Sequence, residues 1–361
     1  MKRLVMIGGF LGAGKTSLLK EAAEKLTQRG IKVGLITNDQ AAGLVDTALL
    51  EKTNERIAEV SGSCFCCDYC GFTDSITHLS EVKGAGVVIA EPVGSCTDLS
   101  AALLQPLKEH FAEDLAISPL TVLVDPDRLD ALLRSKSSGL HASAAYILQK
   151  QLEEADLIVI NKADLVGGAD LEELSGMAGA RWPNAKILSM SVRTGQGVDR
   201  WLDEVLNGSQ AGTHLAEVDY DIYAEGEAVL GWLNTTIELK GKDIQWDKFV
   251  RKLTEETGRR MDGSNAEVGH LKLILEAGEY FMTGNITGKR STSSIRGSVG
   301  NGDAARLIWN ARVQMEPDVL KTVILEALSD VCSDEVTFEI ISMNCISPGR
   351  PNPTYRYDHV V

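Results

Sequence analysis

Eight residues near the start of the chain constrain its fold more than any other feature. Gly9-Phe10-Leu11-Gly12-Ala13-Gly14-Lys15-Thr16 fits the pattern G-x-x-x-x-G-K-[ST]. An apolar run, Arg3–Ile7, precedes it as a predicted strand, and Ser17–Arg29 follows with the apolar spacing of a helix. Backbone N–H groups of such a loop converge on phosphate at the positive end of a helix. The flanking strand and helix favour a phosphate-binding loop over a glycine-rich turn that only matches the pattern.

The loop predicts a defined set of contacts with a nucleotide. We expect the Lys15 ammonium to reach the β- and γ-phosphates and to be catalytic, and the Thr16 hydroxyl to bind Mg²⁺. The remaining predicted phosphate contacts are made by the loop and the first turn of the helix, at Gly9, Gly12, Ala13, Gly14 and Ser17.

Apolar strands and amphipathic helices continue to alternate along residues 1–207. Further strands are predicted at Lys32–Thr37, Gly86–Ala90, Leu120–Val124, Leu157–Ile160 and Lys186–Ser189. These runs are continuously apolar, as expected of a parallel sheet covered on both faces. The predicted fold is therefore an α/β, three-layer P-loop NTPase domain over residues 1–207. A linker over residues 208–216 and a smaller α+β domain with an antiparallel sheet over residues 217–361 are predicted to follow.

Bulk composition excludes several classes of protein. The 361-residue chain has a formal net charge of −15 at pH 7, which argues against a general nucleic-acid binder. No apolar run reaches the roughly 18 residues of a membrane-spanning helix, so no membrane association is predicted. The seven cysteines are an odd and unevenly spread set, which makes a poor disulfide framework. We therefore expect a reducing, cytoplasmic location.

A second motif selects the base of the nucleotide. Asn161-Lys162-Ala163-Asp164 follows the strand Leu157–Ile160 and has the form N-K-x-D. The Asp164 carboxylate can accept two N–H donors from the guanine edge, a donor pair that adenine lacks. Asn161 can bind the base or brace the loop, and the Lys162 stem can lie over the ring. Ser191 and Val192 follow the next strand and are predicted to contact the base. GTP is favoured over ATP; the alternative is a charged turn at a strand end.

Four thiols crowd into one short segment, at Cys64, Cys66, Cys67 and Cys70. Thiolates favour Zn²⁺ and other soft or borderline ions. We predict transition-metal binding at Cys64, Cys66 and Cys67, with Cys70 as an additional candidate ligand. A closed structural zinc knuckle and a redox pair are the alternatives. Closed sites usually draw pairs of ligands from two separated hairpins, so a single crowded stretch favours a transfer site.

Three acidic residues lie between these motifs. Glu91 ends the strand Gly86–Ala90, where P-loop proteins place a residue that binds Mg²⁺ or positions water. Asp39 ends the second strand on the same side of the sheet, and Asp46 follows in the adjoining loop. We predict catalytic roles for Glu91 and Asp39 and leave Asp46 open. A helix-capping or turn carboxylate is the alternative for each.

Together these motifs resemble the CobW/HypB/UreG group of metallochaperone GTPases, and its CobW-like branch in particular. Gly62–Cys67 matches the Gly-x-Cys-x-Cys-Cys motif of that branch, Asn38–Asp46 its N-[DE]-x₆-D segment, and Glu91–Gly94 its Glu-x-x-Gly. Cys70 and Cys96 are thiols beyond the family pattern. The resemblance covers residues 1–205 and extends more loosely to the rest of the chain.

The resemblance implies a SIMIBI-class P-loop fold and slow hydrolysis of GTP to GDP and phosphate, stimulated by metal or by a client. It also implies that Zn²⁺ or another transition metal, such as Co²⁺ or Ni²⁺, is bound at the cysteines and delivered to a client metalloenzyme or cofactor-assembly protein. Relatives often form nucleotide-dependent homodimers. Two other functions stay open: a metal-sensing regulatory or scaffold protein with negligible turnover, and an activator that gates the loading of a corrinoid or another metallo-cofactor.

Overall fold

The computed structural model describes residues 2–39, 45–51, 56–136, 140–264, 266–287 and 293–361. The chain forms two compact units. The first unit comprises Met1–Gln40, Leu50–Gly226 and Arg350–Val361, and the second comprises Ala41–Leu49 and Glu227–Gly349. Residues 350–361 thus rejoin the first unit after the second is complete. The domain boundaries drawn from the sequence stay a prediction.

Residues 2–207 alternate between strands and helices. The strands are β1 (Lys2–Gly9), β2 (Val33–Asp39), β3 (Ile57–Ser61), β4 (Val87–Glu91), β5 (Leu115–Ile117), β6 (Thr121–Val124), β7 (Leu157–Ile160) and β8 (Lys186–Ser189). The helices are α1 (Lys15–Gln28), α2 (Val45–Glu51), α3 (Tyr69–Thr77), α4 (Gln105–His110), α5 (Pro126–Leu133), α6 (Ala142–Glu153), α7 (Gly168–Arg181) and α8 (Val198–Asn207).

The later part of the chain has longer strands and two long helices. Its elements are α9 (Tyr220–Ala228), β9 (Gly231–Gln245), α10 (Trp246–Gly263), β10 (Val268–Ala277), β11 (Tyr280–Ile286), β12 (Ser294–Gly297), β13 (Asn301–Val313), α11 (Pro317–Cys332) and β14 (Val336–Ile346).

The first unit is built on a parallel sheet. Its strand order is β3-β2-β4-β1-β6-β7-β8, with β5 paired to β1, and every pairing is parallel. The central strands are buried along most of their length, and Leu18, Leu19 and Ala22 of α1 pack into the same core. Burial of both faces explains why these strands are continuously apolar in sequence. The predicted α/β P-loop architecture is confirmed.

The second unit is built on an antiparallel sheet with the order β12-β11-β10-β13-β9-β14. Trp246 and Leu253 of α10 and Leu328 of α11 share one buried core with Leu273 and Trp309 of the sheet. A smaller cluster joins Val45 of α2 to two sheet residues, Ile274 and Ile308. The predicted α+β fold with an antiparallel sheet is confirmed.

None of the helices in the described part of the chain combines the length and the apolar character required to cross a membrane.

Candidate functional site

The predicted site residues of the first unit gather at one edge of its sheet. Strands β2, β4, β1 and β7 end at Asp39, Glu91, Gly9 and Ile160, and parallel pairing brings their carboxyl ends to the same edge. This is the edge at which open α/β sheets bind ligands. The topology therefore collects the phosphate loop, the acidic residues and the N-K-x-D segment from distant parts of the sequence.

The phosphate loop requires glycine at two of its positions. Gly9 has a φ of 127°, and a Cβ there would lie 2.3 Å from the carbonyl oxygen of Leu123. Gly14 has a φ of 100°, and a Cβ there would lie 2.4 Å from the Asn161 side-chain nitrogen. Both conformations belong to the left-handed side of φ that glycine adopts without penalty. The loop is thus packed against β6 and the N-K-x-D segment.

Glu91 contacts both polar side chains that open α1. The Thr16 hydroxyl donates to Glu91 Oε1 at 3.1 Å, and Lys15 Nζ lies 3.9 Å from the same oxygen. Lys15 Nζ also donates to the Gly9 carbonyl oxygen at 2.8 Å. All three side chains are buried. The lysine, the hydroxyl and the carboxylate predicted to act on phosphate, Mg²⁺ and water thus lie together.

Asn161 braces the loops on either side of it. Its Nδ2 donates to the Ala13 carbonyl oxygen at 2.8 Å, and its Oδ1 accepts from the Val192 N–H at 3.2 Å. Of the two roles predicted for Asn161, the structure contains the bracing contacts. Lys162 adopts a left-handed conformation with a φ of 59°, which turns the chain into the short helical segment that carries Asp164.

Asp164 is held as an ionised acceptor. The Ser191 hydroxyl donates to Oδ1 at 2.5 Å, and Arg193 Nη2 lies 2.5 Å from Oδ2. The hydrogen bond from Ser191 and the neighbouring Arg193 guanidinium lower the pKa of Asp164. A charged carboxylate accepts hydrogen bonds and does not donate, which suits it to the two N–H groups of a guanine edge.

Three cysteines form a compact thiol cluster, defined as Cys64, Cys66 and Cys67. Cys64 Sγ lies 3.0 Å from the Sγ atoms of both Cys66 and Cys67, and these two lie 4.0 Å apart. The three ligand atoms are all within 4.8 Å of one another. Three convergent sulfurs are the donor set preferred by Zn²⁺ and other soft or borderline ions. The arrangement fits a single ion.

The thiols differ in acidity. Hydrogen bonds with Cys66, Cys67 and Cys96 hold the pKa of Cys64 well below its ordinary value. The hydrogen bond with Cys64 raises the pKa of Cys66 and raises that of Cys67 to about 11. One thiolate is therefore supported by neighbouring thiols, and further thiolates form as a metal ion displaces their protons.

The backbone that carries the cluster, the thiol loop (residues 62–68), is tied to the end of β2. Asn38 Nδ2 donates to the carbonyl oxygens of Val60 and Ser63 at 2.8 and 2.7 Å, and its Oδ1 accepts from the Phe65 N–H at 3.0 Å. The Gly62 N–H donates to the Asp39 carbonyl oxygen at 3.1 Å. Asp68 ends the loop as the N-cap of α3. The strand that ends in the predicted catalytic Asp39 thus also fixes the thiol loop.

A second loop connects the nucleotide residues to the thiols. The Glu91 loop (residues 91–98) begins at Glu91, passes Gly94 and reaches Cys96, whose thiol hydrogen-bonds with Cys64. A Cβ on Gly94 would lie 3.0 Å from Lys15 Nζ, so the loop backbone runs directly beside the lysine that is predicted to bind phosphate. Cys96, flagged in the sequence only as an extra thiol, is buried against the cluster.

Two further candidate residues are Cys70 and Asp46. Cys70 is exposed on α3 and is outside the group of three convergent thiols. Asp46 belongs to the second unit and pairs with Lys272 of β10 at 2.6 Å. Residues 40–44 of the N-[DE]-x₆-D segment lie outside the described residues.

Sequence reasoning missed several residues that brace these loops. Arg128 donates to the Leu11 carbonyl oxygen, and its guanidinium lies 5.1 Å from the centroid of the Phe10 ring. The motif that contains Asn38 gives this residue no separate role. No motif marks Asp98 or Arg356, although the Arg356 Nε donates to Asp98 Oδ2 at 2.7 Å. Asn38 could have been suspected from its place at a strand end, where ligand-binding residues gather. No local pattern marks Arg356, because its partner lies far away in sequence.

The parallel sheet with its phosphate loop defines a P-loop nucleotide-binding protein, and the thiol cluster gives it a convergent thiol site as well. The sequence profile described as CobW/HypB/UreG, nucleotide-binding domain, matches residues 3–189. The chain therefore belongs to the CobW/HypB/UreG family.

Relatives agree with the predicted CobW-like branch. The chain is 26% identical over 196 residues to a protein of Sinorhizobium sp. named zinc chaperone CobW, covering 49% of this chain and 55% of that protein. It is 24% identical over 212 residues to zinc-regulated GTPase metalloprotein activator 1 of Dictyostelium discoideum, covering 51% and 44% of the two chains. The chain thus spans about half the length of these curated relatives. The crystal structure of Zn(II)-bound YjiA GTPase from E. coli matches with a TM-score of 0.39 and 16% identity, covering 90% of this chain and 98% of that one.

Proposed function

We propose that this protein is a GTP-hydrolysing metallochaperone that carries a transition metal at Cys64, Cys66 and Cys67 and passes it to a client protein or cofactor pathway. The observation that carries the proposal is the Glu91 loop, which bears the Thr16- and Lys15-binding carboxylate at one end and Cys96, hydrogen-bonded to Cys64, near the other. Similarity to proteins named for zinc supports Zn²⁺ as the metal over Co²⁺ and Ni²⁺.

On the nucleotide side, each residue has a definite task. Lys15 exchanges its bond to the Gly9 carbonyl for the β- and γ-phosphates, where it neutralises charge that builds up in the transition state. Thr16, whose hydroxyl now donates to Glu91, would hold Mg²⁺, and the ion would supply electrostatic stabilisation of the phosphates. Glu91 and Asp39, at adjacent strand ends, orient the attacking water. Asp164 selects guanine, and Asn161 keeps the base-binding and phosphate loops in register.

On the metal side, Cys64 is the first ligand because its thiolate is already favoured. Binding at Cys66 and Cys67 then displaces their protons, so metal uptake releases protons and weakens as the pH falls. The cluster is held by one loop and backed by buried residues, Phe65 among them, and Cys67 is partly exposed. A site with an accessible thiolate on one side suits exchange of the ion with a partner.

Hydrolysis and metal release are linked through Glu91. When nucleotide binding draws Thr16 and Lys15 away, the Glu91 carboxylate loses two contacts and the Glu91 loop shifts. Cys96 then alters its contact with Cys64, which changes the affinity of the thiol cluster. Loss of the γ-phosphate reverses the shift. A nucleotide can alter metal affinity only through states that it distinguishes, so the linkage predicts two different affinities.

The test is to measure Zn²⁺ affinity by chelator competition with a non-hydrolysable GTP analogue and with GDP, together with phosphate release from GTP. We expect the two affinities to differ by at least about fivefold, and GTP hydrolysis to respond to Zn²⁺. Equal affinities combined with zinc-independent hydrolysis would contradict the proposal. A variant at exposed Cys70, which lies outside the cluster, serves as the matched control.

A further inference from the structure

A segment from the far end of the sequence lies against the thiol loop. The return segment (residues 350–361) belongs to the first unit, although the whole sheet of the second unit precedes it in the chain. The Asn352 N–H donates to Cys67 Sγ at 3.3 Å. The Thr354 N–H donates to the Cys66 carbonyl oxygen at 2.8 Å, and the Thr354 hydroxyl donates to the Cys67 carbonyl oxygen at 3.2 Å. Two cluster cysteines are thus bound by this segment.

Tyr355, the next residue of the return segment, is anchored by aromatic packing. The Tyr355 ring meets Tyr69 and His110 edge to face, with centroid separations of 5.0 and 5.2 Å. Edge-to-face pairs at such distances are attractive beyond the area they bury. Tyr69 is the first residue of α3, directly after the thiol loop. The return segment is therefore fixed at the thiol loop and does not merely pass over it.

Two residues beyond Thr354, the same segment binds the Glu91 loop. Arg356 Nε donates to Asp98 Oδ2 at 2.7 Å, and the Tyr220 hydroxyl donates to the same oxygen at 2.7 Å. Asp98 is 1% exposed and has a φ of 64°, which is unusual for a residue other than glycine. A buried carboxylate needs such partners, because burial without them is costly.

We propose that the return segment is a second coupling element between the nucleotide and the metal, beside the contact of Cys96 with Cys64, with Arg356 as a positioning residue that joins the Glu91 loop to the thiol loop. This inference rests on the proposed function and adds a route to it. Asp98 ends the loop that starts at Glu91, and Thr354 and Arg356 are two residues apart in the return segment. Two residues span at most about 7 Å, so a displacement of Asp98 is transmitted to the Cys66 and Cys67 backbone.

The return segment also contacts the sulfur atom of one cluster cysteine, Cys67. The Asn352 N–H points at Cys67 Sγ, and a hydrogen bond to a thiolate withdraws charge from the atom that binds the metal. A shift of the return segment that lengthens this bond changes the donor strength of Cys67. The nucleotide state thereby reaches both the position of the thiol loop and the strength of one ligand.

The experiment compares Zn²⁺ affinity with a non-hydrolysable GTP analogue and with GDP in the full chain, using chelator competition. The variant is Arg356→Met, which keeps much of the side-chain length and removes the charge. Arg350→Met is the matched control, since Arg350 lies in the same segment but pairs with exposed Asp221. We expect the ratio of the two affinities to fall at least about twofold below the wild-type value in Arg356→Met, in which the contact of Cys96 with Cys64 remains, and to stay at the wild-type value in Arg350→Met.

A second variant covers the case in which Arg356→Met does not fold because Asp98 is left buried with one fewer partner. The double variant Asp98→Asn, Arg356→Met removes both charges together and is expected to lower the ratio in the same way. A wild-type ratio retained in the folded variants overturns the inference and leaves the proposed function standing. Equal affinities in the two nucleotide states of the wild-type protein also overturn the inference, and equal affinities combined with zinc-independent hydrolysis contradict the proposed function as well.

Discussion

At the scale of single residues, the Asp164 carboxylate that we propose to bind guanine is held ionised by its neighbours. Ser191 and Arg193 contact its two oxygens and keep it ionised. A carboxylate held in this way meets the guanine edge without rearranging its own charge. The proposed recognition of guanine therefore depends on the two oxygens of the Asp164 carboxylate, so a single substitution tests it.

Asp164→Asn replaces one of the two acceptor oxygens of the carboxylate by an NH₂ group, which donates. We expect GTP affinity to fall by at least about 100-fold, because hydrogen bonds to charged groups contribute about 1.5–3 kcal/mol each. Affinity for xanthosine triphosphate, which presents a carbonyl oxygen where guanine has an amino group, should rise. Titrations with both nucleotides measure the change. Asp170→Asn, at an exposed residue of α7, is the control, and an unchanged preference for GTP would rule out the assigned role.

Cys66→Ser tests the thiol cluster at the same scale. Because serine stays protonated and binds zinc poorly, we expect Zn²⁺ affinity to fall by at least about tenfold, since changes to the residues around a metal ligand already cost about 10–100-fold. Chelator competition and the thiolate-to-Co²⁺ absorption band provide two measurements. Cys70→Ser removes an exposed thiol outside the cluster and should leave both unchanged. A loss of Zn²⁺ affinity in Cys70→Ser but not in Cys66→Ser would instead place the metal site at α3.

At the scale of elements, the phosphate loop is constrained by its packing against β6. Gly9→Ala would place a Cβ 2.3 Å from the Leu123 carbonyl oxygen at a φ of 127°. We expect a loss of at least about 3 kcal/mol in the free energy of unfolding, from backbone strain and displacement of the loop. Gly176→Ala, at an exposed position of α7 with no atom near the added Cβ, should instead gain up to about 1 kcal/mol. Urea unfolding of the two variants checks the sign of each change.

Strands and helices whose buried faces appear as apolar residues in the sequence could be predicted from it. Runs such as Leu157–Ile160 are apolar throughout because both faces of the parallel sheet are covered, and the structure has β7 at those residues. The same holds for the helix after the phosphate loop, where apolar spacing marks the buried face of α1. Strands β9 and β13 extend into stretches of polar residues, which hide the strand pattern in the sequence.

At the scale of the whole molecule, prediction fails where a contact joins distant segments. Motif spacing located Cys64, Cys66 and Cys67, since their ligand pattern is local in sequence. Nothing local connects Arg356 to Asp98, separated by 258 residues, or Asn352 to Cys67, separated by 285 residues. Such pairs are set by how the chain returns to the first unit, which depends on the complete topology.

Glu154 lies at the end of α6 in the interior of the first unit and is fully buried. Its Oε1 accepts from the Thr97 hydroxyl at 3.1 Å and its Oε2 from the Ser100 N–H at 2.8 Å. Burial, together with the nearby charge of Asp98, raises the pKa of Glu154 to about 8 from an ordinary value of 4.5. The folded protein therefore keeps a proton on Glu154 that the unfolded chain releases at lower pH.

The consequence is a stability that declines as the pH rises. Between pH 4.5 and about 8 the folded state holds one more proton than the unfolded state at this residue, so the contribution of Glu154 to the free energy of unfolding falls by about 1.4 kcal/mol per pH unit. Glu154→Gln has the shape of the protonated acid, can accept from Ser100 and donate to Thr97, and does not titrate. We expect urea midpoints of wild type and variant to match near pH 5 and to separate progressively toward pH 8, with the variant more stable. Subtracting the two curves removes the titration of every group that they share. Parallel curves over this range would mean that Glu154 is ionised in the folded protein, and that a cation or a rearranged Asp98 offsets its burial.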